Sequence, residues 1–242
     1  MEIYRKNNAR EMGEFAAELG AQAIIEAINK QGSARIILAT GASQFEMIKH
    51  LVTLEIPWSK VEMYHLDEYC ALPMTHIASF RKYLKERFVD IVHPAIVHYV
   101  DGEGNVDQHI TKLTESIRER PIDVAFVGIG ENAHIAFNDP PANFTTLESY
   151  IVVNLTDDCK QQQVSEGWFA TKDDVPAQAI SMTVHQMLNA RKIICTVPGS
   201  RKAKAIEQTV MAEEISPMVP ATMLWNHPDC AMVLDADSAS LL

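Results

Sequence analysis

The sequence predicts an α/β fold: a doubly wound, mostly parallel sheet with helices on both faces, which is a Rossmann-like three-layer sandwich. The first observation is that apolar runs of strand length alternate with helix-length amphipathic segments along almost the whole chain, the pattern of βαβ units. The second is that several of these runs are continuously apolar, as in parallel strands buried on both faces.

The order of the elements follows from these runs. The predicted strands are at 35–39, 62–66, 95–100, 123–127, 151–155, 192–197 and 230–234. The predicted helices, in which apolar residues recur every three or four positions, are at 9–30, 43–52, 79–88, 106–118, 180–189 and 201–211. Gly32 is placed to end the first helix, and Ser43 and Glu46 have the spacing of a capping box. Without a composition break or repeat, residues 1–242 are predicted to form one domain.

Composition narrows the classes of function. The formal net charge of −11 argues against a nucleic-acid or membrane-surface partner, but it leaves room for a small anionic ligand. Residues 1–6 lack the apolar region of a signal peptide, and the four cysteines are scattered without metal-ligand spacing. We therefore expect a cytoplasmic protein, and a homo-oligomer stays an open alternative.

The segment 128–140, Gly-Ile-Gly-Glu-Asn-Ala-His-Ile-Ala-Phe-Asn-Asp-Pro, follows the predicted strand 123–127 directly. Ligands of open α/β sheets bind beyond the carboxyl ends of the strands. His134 can exchange protons near neutral pH, and Asn132 and Asp139 could orient it or share its proton. The alternative is a hydrogen-bonded core histidine, but the polar neighbours favour a catalytic role.

Asp67 follows the strand predicted at 62–66 in the same way. A carboxylate that is partly desolvated at a strand end could act as a general base, whereas the alternative is a turn or cap aspartate. His65 shares a face with Asp67, which raises the question of metal ligation. No second histidine–carboxylate set has matching spacing, so no metal is predicted.

Two strand–turn–helix junctions are predicted to bind an anion. Thr40, Gly41, Ala42 and Ser43 form the first, where free N–H groups and the positive end of a helix favour phosphate. This junction is neither a dinucleotide fingerprint nor a Walker loop. The second junction carries Lys202 at a helix start, which is unfavourable unless an anion binds there. The alternatives are a simple helix cap by Ser43 and a solvated surface lysine.

Together the segments 39–43, 66–69, 128–130, 134–138 and 199–203 occur in the order seen in glucosamine-6-phosphate deaminases. The chain resembles that family from about residue 35 to its carboxyl terminus. The related 6-phosphogluconolactonases share the fold and a similar histidine loop, but their loop does not usually continue as Ile-Ala-Phe-Asn.

The resemblance implies conversion of glucosamine 6-phosphate and water into fructose 6-phosphate and ammonia, without a metal or organic cofactor. It further implies that His134 assists opening of the sugar ring and that Asp67 moves a proton between C2 and C1 through an enediol. Lys202 and the 40–43 turn would hold the phosphate. The alternatives are a 6-phosphogluconolactonase-like lactone hydrolase and a catalytically weak sugar-phosphate-binding protein.

The sequence departs from the family pattern near the histidine and in one further segment. Asn132 and Ala133 stand where the family usually carries aspartate and glycine, and Asp139 replaces a glutamate. Segment 160–169 lacks an arginine that family members place before an aromatic pair. An amide can hydrogen-bond an imidazole but adds no charge. We therefore expect the Asn132→Asp substitution to raise activity on glucosamine 6-phosphate.

Overall fold

The computed structural model describes residues 1–242. The strands are β1 (Glu2–Arg5), β2 (Ala34–Leu38), β3 (Val61–His65), β4 (Asp67–Tyr69), β5 (Ile96–His98), β6 (Val124–Val127), β7 (Tyr150–Asn154), β8 (Gln178–Met182), β9 (Lys192–Val197) and β10 (Cys230–Leu234). The α-helices are α1 (Ala9–Gln31), α2 (Phe45–Leu51), α3 (Phe80–Leu84), α4 (Asp90–Val92), α5 (Val106–Arg118), α6 (Asp157–Ser165), α7 (Val184–Leu188) and α8 (Ala203–Val210). No helix combines the length and the apolarity that crossing a membrane requires.

Seven strands form the main sheet in the order β1–β10–β9–β6–β2–β3–β5, and every neighbouring pair is parallel. Two apolar cores cover its faces. In β2, Ile36 and Leu38 belong to the core shared with α1 and α2, whereas Ile37 belongs to the core shared with α5 and α8. Both faces of the strand are therefore buried, which explains its continuous apolar run and confirms the predicted fold class.

Helix α1 begins and ends at residues whose side chain or backbone conformation favours a helix end. Asn8 caps its start by accepting a hydrogen bond from the Glu11 N–H, and Gly32 ends it in the left-handed conformation at φ 86°. Between these ends Gly20 lets the helix lie close to the sheet, since a Cβ there would stand 2.2 Å from the Phe126 ring. The Ile24 side chain is fully buried, which stabilises the fold by about 1.5–3 kcal/mol.

A second, three-stranded antiparallel sheet, in the order β4–β8–β7, was not predicted. The helix predicted at 180–189 is wrong in its first part, because β8 continues to Met182 and α7 begins only at Val184, after the cap residue Thr183. A short buried apolar run fits a strand as well as a helix, so periodicity alone could not separate the two. This small sheet holds Asp67 on β4.

Three further differences concern element ends and weakly patterned segments. The capping box predicted at Ser43 is wrong: a 3₁₀ turn spans Ala42–Gln44, α2 starts at Phe45, and no side chain caps either. The edge strand β1 and the helix α6 were not predicted. The first is short and mostly exposed, and the second is polar on nearly all sides, so neither carries an apolar pattern.

Candidate active site

A cleft of about 750 Å³, counted with its solvent-open space, lies at the carboxyl ends of the central strands of the main sheet. Most residues that the sequence predicts for the site line it, namely Thr40, Gly41, Ala42, Ser43, Asp67, His134 and Lys202. The other two, Asn132 and Asp139, contact the His134 ring. The carboxyl ends of parallel strands meet at one edge of a sheet, which is why these distant positions converge.

The turn at Thr40–Ser43 is shaped by one glycine and by one buried amide. Gly41 has φ 86° and ψ 179°, a region that is essentially restricted to glycine. The Thr40 and Gly41 N–H groups donate no hydrogen bond within the protein. Gln44 fixes the turn, because its Nε2 donates to the Val127 carbonyl at 3.0 Å and to Thr196 Oγ1 at 2.9 Å. The turn is therefore held rigidly while these donors stay available to an anion.

Lys202 lies on the opposite junction, in a 3₁₀ turn after Gly199. Burial lowers the pKa of its ammonium, and the nearby Glu166 and Glu131 carboxylates oppose that shift. The ammonium makes no hydrogen bond or ion pair with the protein, whereas its neighbour Arg201 pairs with Glu131 at 2.5 Å. A half-buried cation without a partner is costly, so an anionic ligand in the cleft would stabilise it.

Asp67 is the buried carboxylate of the cleft. Only 6% of the residue is exposed, and its Oδ1 accepts no hydrogen bond. Burial, and secondly the adjacent Glu68, raise the pKa of Asp67 from 3.8 to about 8. When it is ionised, such a carboxylate is a stronger base than an ordinary aspartate, and it lines the same cleft as His134.

The His134 ring is held by its own loop. Gly130 leaves room for it, since a Cβ there would stand 2.1 Å from the imidazole. Two acceptors face the ring nitrogen Nδ1: Asn132 Oδ1 at 2.6 Å and Asp139 Oδ1 at 3.2 Å. Because both are acceptors, we assign the proton to Nδ1. Nε2 makes no hydrogen bond within the protein and is the atom available to a ligand in the cleft.

Asp139 supplies a negative charge beside this histidine. Burial acts to raise its pKa, but the hydrogen bonds from His134, Asn132 and Thr156 outweigh burial, and the pKa of Asp139 is lowered. Asn132 Nδ2 donates to Asp139 Oδ1 at 3.0 Å. The anion that Asn132 does not provide is therefore provided by Asp139, which changes the expectation for the Asn132→Asp substitution.

The sequence model of the family described as glucosamine-6-phosphate isomerases/6-phosphogluconolactonase matches residues 7–233. The chain belongs to this family. It is 36% identical over 250 residues to the glucosamine-6-phosphate deaminase of Halothermothrix orenii, covering 100% of both chains. It is 31% identical over 250 residues to that of Thermoanaerobacter pseudethanolicus, covering 100% of this chain and 95% of the relative.

Two solved structures of family members show the same fold. A monomeric glucosamine-6-phosphate deaminase superposes with a TM-score of 0.91 at 24% identity, covering 100% of both chains. A 6-phosphogluconolactonase from Shewanella baltica superposes with a TM-score of 0.79 at 17% identity, covering 97% of both chains. The main sheet and its flanking helices are thus the family architecture.

One wall of the cleft was not predicted as part of the site. It comes from α6 and the segment after it, through Gln162, Gln163, Glu166 and Trp168. Glu166 accepts hydrogen bonds from Gln162 Nε2 at 2.8 Å and Trp168 Nε1 at 3.2 Å. In the family pattern this segment contributes an arginine. Here Lys202 is the one lysine or arginine among the lining residues.

No group of three histidine, cysteine, aspartate or glutamate side chains is arranged to hold a metal ion. His65, which shares a strand face with Asp67 in the sequence, is fully buried. Its Nδ1 accepts a hydrogen bond from the Val100 N–H at 3.3 Å, and burial lowers its pKa to about 3. His65 is therefore a neutral core residue.

Proposed function

We propose that this protein is a glucosamine-6-phosphate deaminase, which converts glucosamine 6-phosphate and water into fructose 6-phosphate and ammonia. The observation that carries the proposal is the unpaired, buried carboxylate of Asp67 in the same cleft as the His134–Asp139 pair. Family members of this name, at 31% to 36% identity over the full chain, support it.

Substrate binding begins at the phosphate end. The free N–H groups of the Thr40–Ser43 turn and the ammonium of Lys202 lie on the same cleft, so a phosphate between them would accept hydrogen bonds from both. Each charge-assisted hydrogen bond contributes about 1.5–3 kcal/mol. Anchoring this end directs the sugar's C1 and C2 towards the carboxylate and the histidine.

Opening of the sugar ring requires moving one proton. His134 Nε2 can take the proton of the O1 hydroxyl and deliver it to the ring oxygen O5 as the C1–O5 bond breaks. The imidazole is positively charged between these two steps, and Asp139, 3.2 Å from Nδ1, stabilises that charge. The product of this step is the open-chain aldehyde.

The amine leaves through a proton transfer by Asp67. The carboxylate takes the proton from C2, which the aldehyde at C1 makes acidic, and returns it to C1. Because C2 carries nitrogen, the intermediate is an enolamine rather than the enediol that the resemblance suggests. Protonation at C1 gives an imine at C2, to which water adds. Loss of ammonia then leaves the ketone of fructose 6-phosphate.

The test is product analysis of the purified protein with glucosamine 6-phosphate. We expect ammonia and fructose 6-phosphate in equal amounts, at an unchanged rate after treatment with a chelator, and ammonia release at least about a hundredfold slower with the Asp67→Asn variant. Hydrolysis of 6-phosphogluconolactone, together with no release of ammonia from glucosamine 6-phosphate, would favour the lactonase alternative. Binding of the sugar phosphate with neither reaction would favour a sugar-phosphate-binding protein.

A further inference from the structure

Thr156, the residue that caps α6, uses a single hydroxyl for two hydrogen bonds. Its Oγ1 accepts from the Cys159 N–H at 3.2 Å, which caps the helix. The same Oγ1 donates to Asp139 Oδ2 at 3.0 Å. A hydroxyl has one proton and two lone pairs, so it can do both at once. The start of α6 is thereby tied to the carboxylate that contacts His134.

The two oxygens of Asp139 have different partners. Oδ1 faces His134 Nδ1 and accepts from Asn132 Nδ2, while Oδ2 accepts from Thr156, and the Cys159 thiol also interacts with this carboxylate. The Asp139 side chain is 7% exposed, whereas Thr156, its partner on Oδ2, lies at the protein surface. An aspartate is also one methylene shorter than the glutamate that the family pattern places here. The Thr156 hydroxyl thus contacts the carboxylate on the oxygen that does not face the imidazole.

We propose that Thr156 is a positioning residue for the proposed deaminase reaction: it orients Asp139 so that Oδ1 faces His134 Nδ1. The inference rests on the proposed function for its catalytic consequence, since the paired imidazole is the group that opens the ring. Gln162, further along α6, accepts a hydrogen bond from the Glu131 N–H at 3.4 Å. The helix that forms one wall of the cleft thus also aligns the histidine loop.

The decisive variants separate capping from donation. Thr156→Val keeps the shape but removes the hydroxyl, and we expect kcat to fall about tenfold with KM within about twofold. Thr156→Gly keeps most of the helix-cap stability, because glycine is well tolerated at this position, but it has no hydroxyl to donate to Asp139, so kcat should fall at least as far. Thr156→Ser keeps both bonds and should restore kcat to within about twofold of the wild type.

A matched control exists at α7. Thr183 accepts from the Gln186 N–H at 3.1 Å and donates to the Glu148 carbonyl at 2.6 Å, so it has the same two kinds of hydrogen bond without a hydrogen bond to the His134 ring or to Asp139. Thr183 is fully buried whereas Thr156 is exposed, so Thr183→Val should lower Tm at least as much as Thr156→Val and still leave kcat within about twofold. Equal losses of kcat in both valine variants, or failure of the serine to rescue, would overturn the inference.

Nitrogen-15 NMR of the His134 ring distinguishes this inference from the proposed function, because it needs no substrate. We expect Thr156→Val to shift the Nδ1 resonance and Thr183→Val to leave it in place. An unshifted resonance in Thr156→Val overturns the positioning role whatever the enzyme's activity. A wild type that releases no ammonia overturns the proposed function, while the His134 spectra still decide whether Thr156 orients Asp139.

Discussion

Two adjacent carboxylates on β4 are both buried but differ in their hydrogen-bond partners. Glu68 is fully buried and accepts hydrogen bonds from Ser79 Oγ, at 2.8 Å, and from the N–H groups of Arg81, at 2.8 Å, and Phe80, at 3.2 Å. Asp67, on the other face of the strand, has an oxygen that accepts no hydrogen bond. Burial raises the pKa of both, but hydrogen bonds oppose the shift only at Glu68.

The difference teaches that partners, rather than burial, separate a structural carboxylate from a reactive one. Glu68 anchors the start of α3 to β4, and every contact it makes is within the protein. Asp67 lines the cleft with a carboxylate oxygen that accepts no hydrogen bond. This unpaired buried group lowers the stability of the fold, but it leaves the oxygen available to take a proton from a ligand. The substitutions below test this contrast.

The largest effect is expected at Asp67. Asp67→Asn is nearly isosteric but cannot accept a proton, so turnover of glucosamine 6-phosphate should fall by about two to four orders of magnitude. Ammonia release by the purified variant measures it, and circular dichroism checks that the fold is intact. Near-normal turnover would remove Asp67 from the role of base.

Activity and stability should respond to pH in opposite directions. Asp67 must be ionised to act, so kcat/KM should rise with pH up to about 8, the pKa to which burial raises this group. The folded protein retains this proton where the unfolded chain has lost it, above 3.8. The retained proton contributes to the free energy of unfolding. This contribution is fully present below pH 3.8 and is lost as pH rises through about 8, by up to about 1.4 kcal/mol per pH unit.

Thermal unfolding at a series of pH values measures the stability side of this prediction. The wild type should lose Tm relative to Asp67→Asn as pH rises from about 4 to about 8. Parallel Tm curves for the two proteins would contradict a raised pKa at Asp67.

Glu68→Gln should act on stability instead of catalysis. The amide accepts fewer hydrogen bonds than the carboxylate and leaves buried donors of α3 unpaired, so unfolding should become easier by about 1–3 kcal/mol. Denaturant titration measures this, and kcat of the folded fraction should change less than about threefold. A loss of kcat as large as that of Asp67→Asn would erase the distinction between the two carboxylates.

Lys202→Ala should weaken binding of glucosamine 6-phosphate by about 1.5–3 kcal/mol, the contribution of a charge-assisted hydrogen bond. Calorimetric titration measures it, with unphosphorylated glucosamine as the ligand that should be unaffected. Lys204→Ala is the matched control, because Lys204 lies two residues on and pairs with Glu207 at the surface. An equal loss for both ligands would indicate that Lys202 is structural.

Asn132→Asp should have the smallest effect. A carboxylate at this position would stand about where Asn132 Nδ2 now donates to Asp139 Oδ1, at 3.0 Å. Two carboxylates so close share one proton near neutral pH, so the variant gains little charge beside His134. Activity should stay within about threefold of the wild type, measured from pH 6 to 9. A large gain would restore the expectation drawn from the sequence alone.

The cleft was predictable because Thr40, Asp67 and His134 each follow a buried apolar strand. The carboxyl ends of parallel strands lie at one edge of the sheet whatever the connections between them, so the sequence predicts that these residues lie close together. Their catalytic roles stay predictions. The small sheet was not predictable, since β8 resembles a buried helix. The wall of the cleft formed by α6 was not predicted, because this helix is polar on nearly all sides and its sequence shows no apolar periodicity. The contact of Thr156 with Asp139 joins two loops and has no local signal.

The first strand of the main sheet pairs with the last, β1 with β10. A chain made from its amino end on the ribosome therefore holds β1 without its partner until residues 230–234 emerge. β9, which precedes the Lys202 turn, also emerges late and fills the place between β6 and β10. Until then the β6 edge has unpaired backbone N–H and C=O groups. The nascent chain therefore cannot form its cleft, or a sheet with this edge protected, before synthesis is nearly finished.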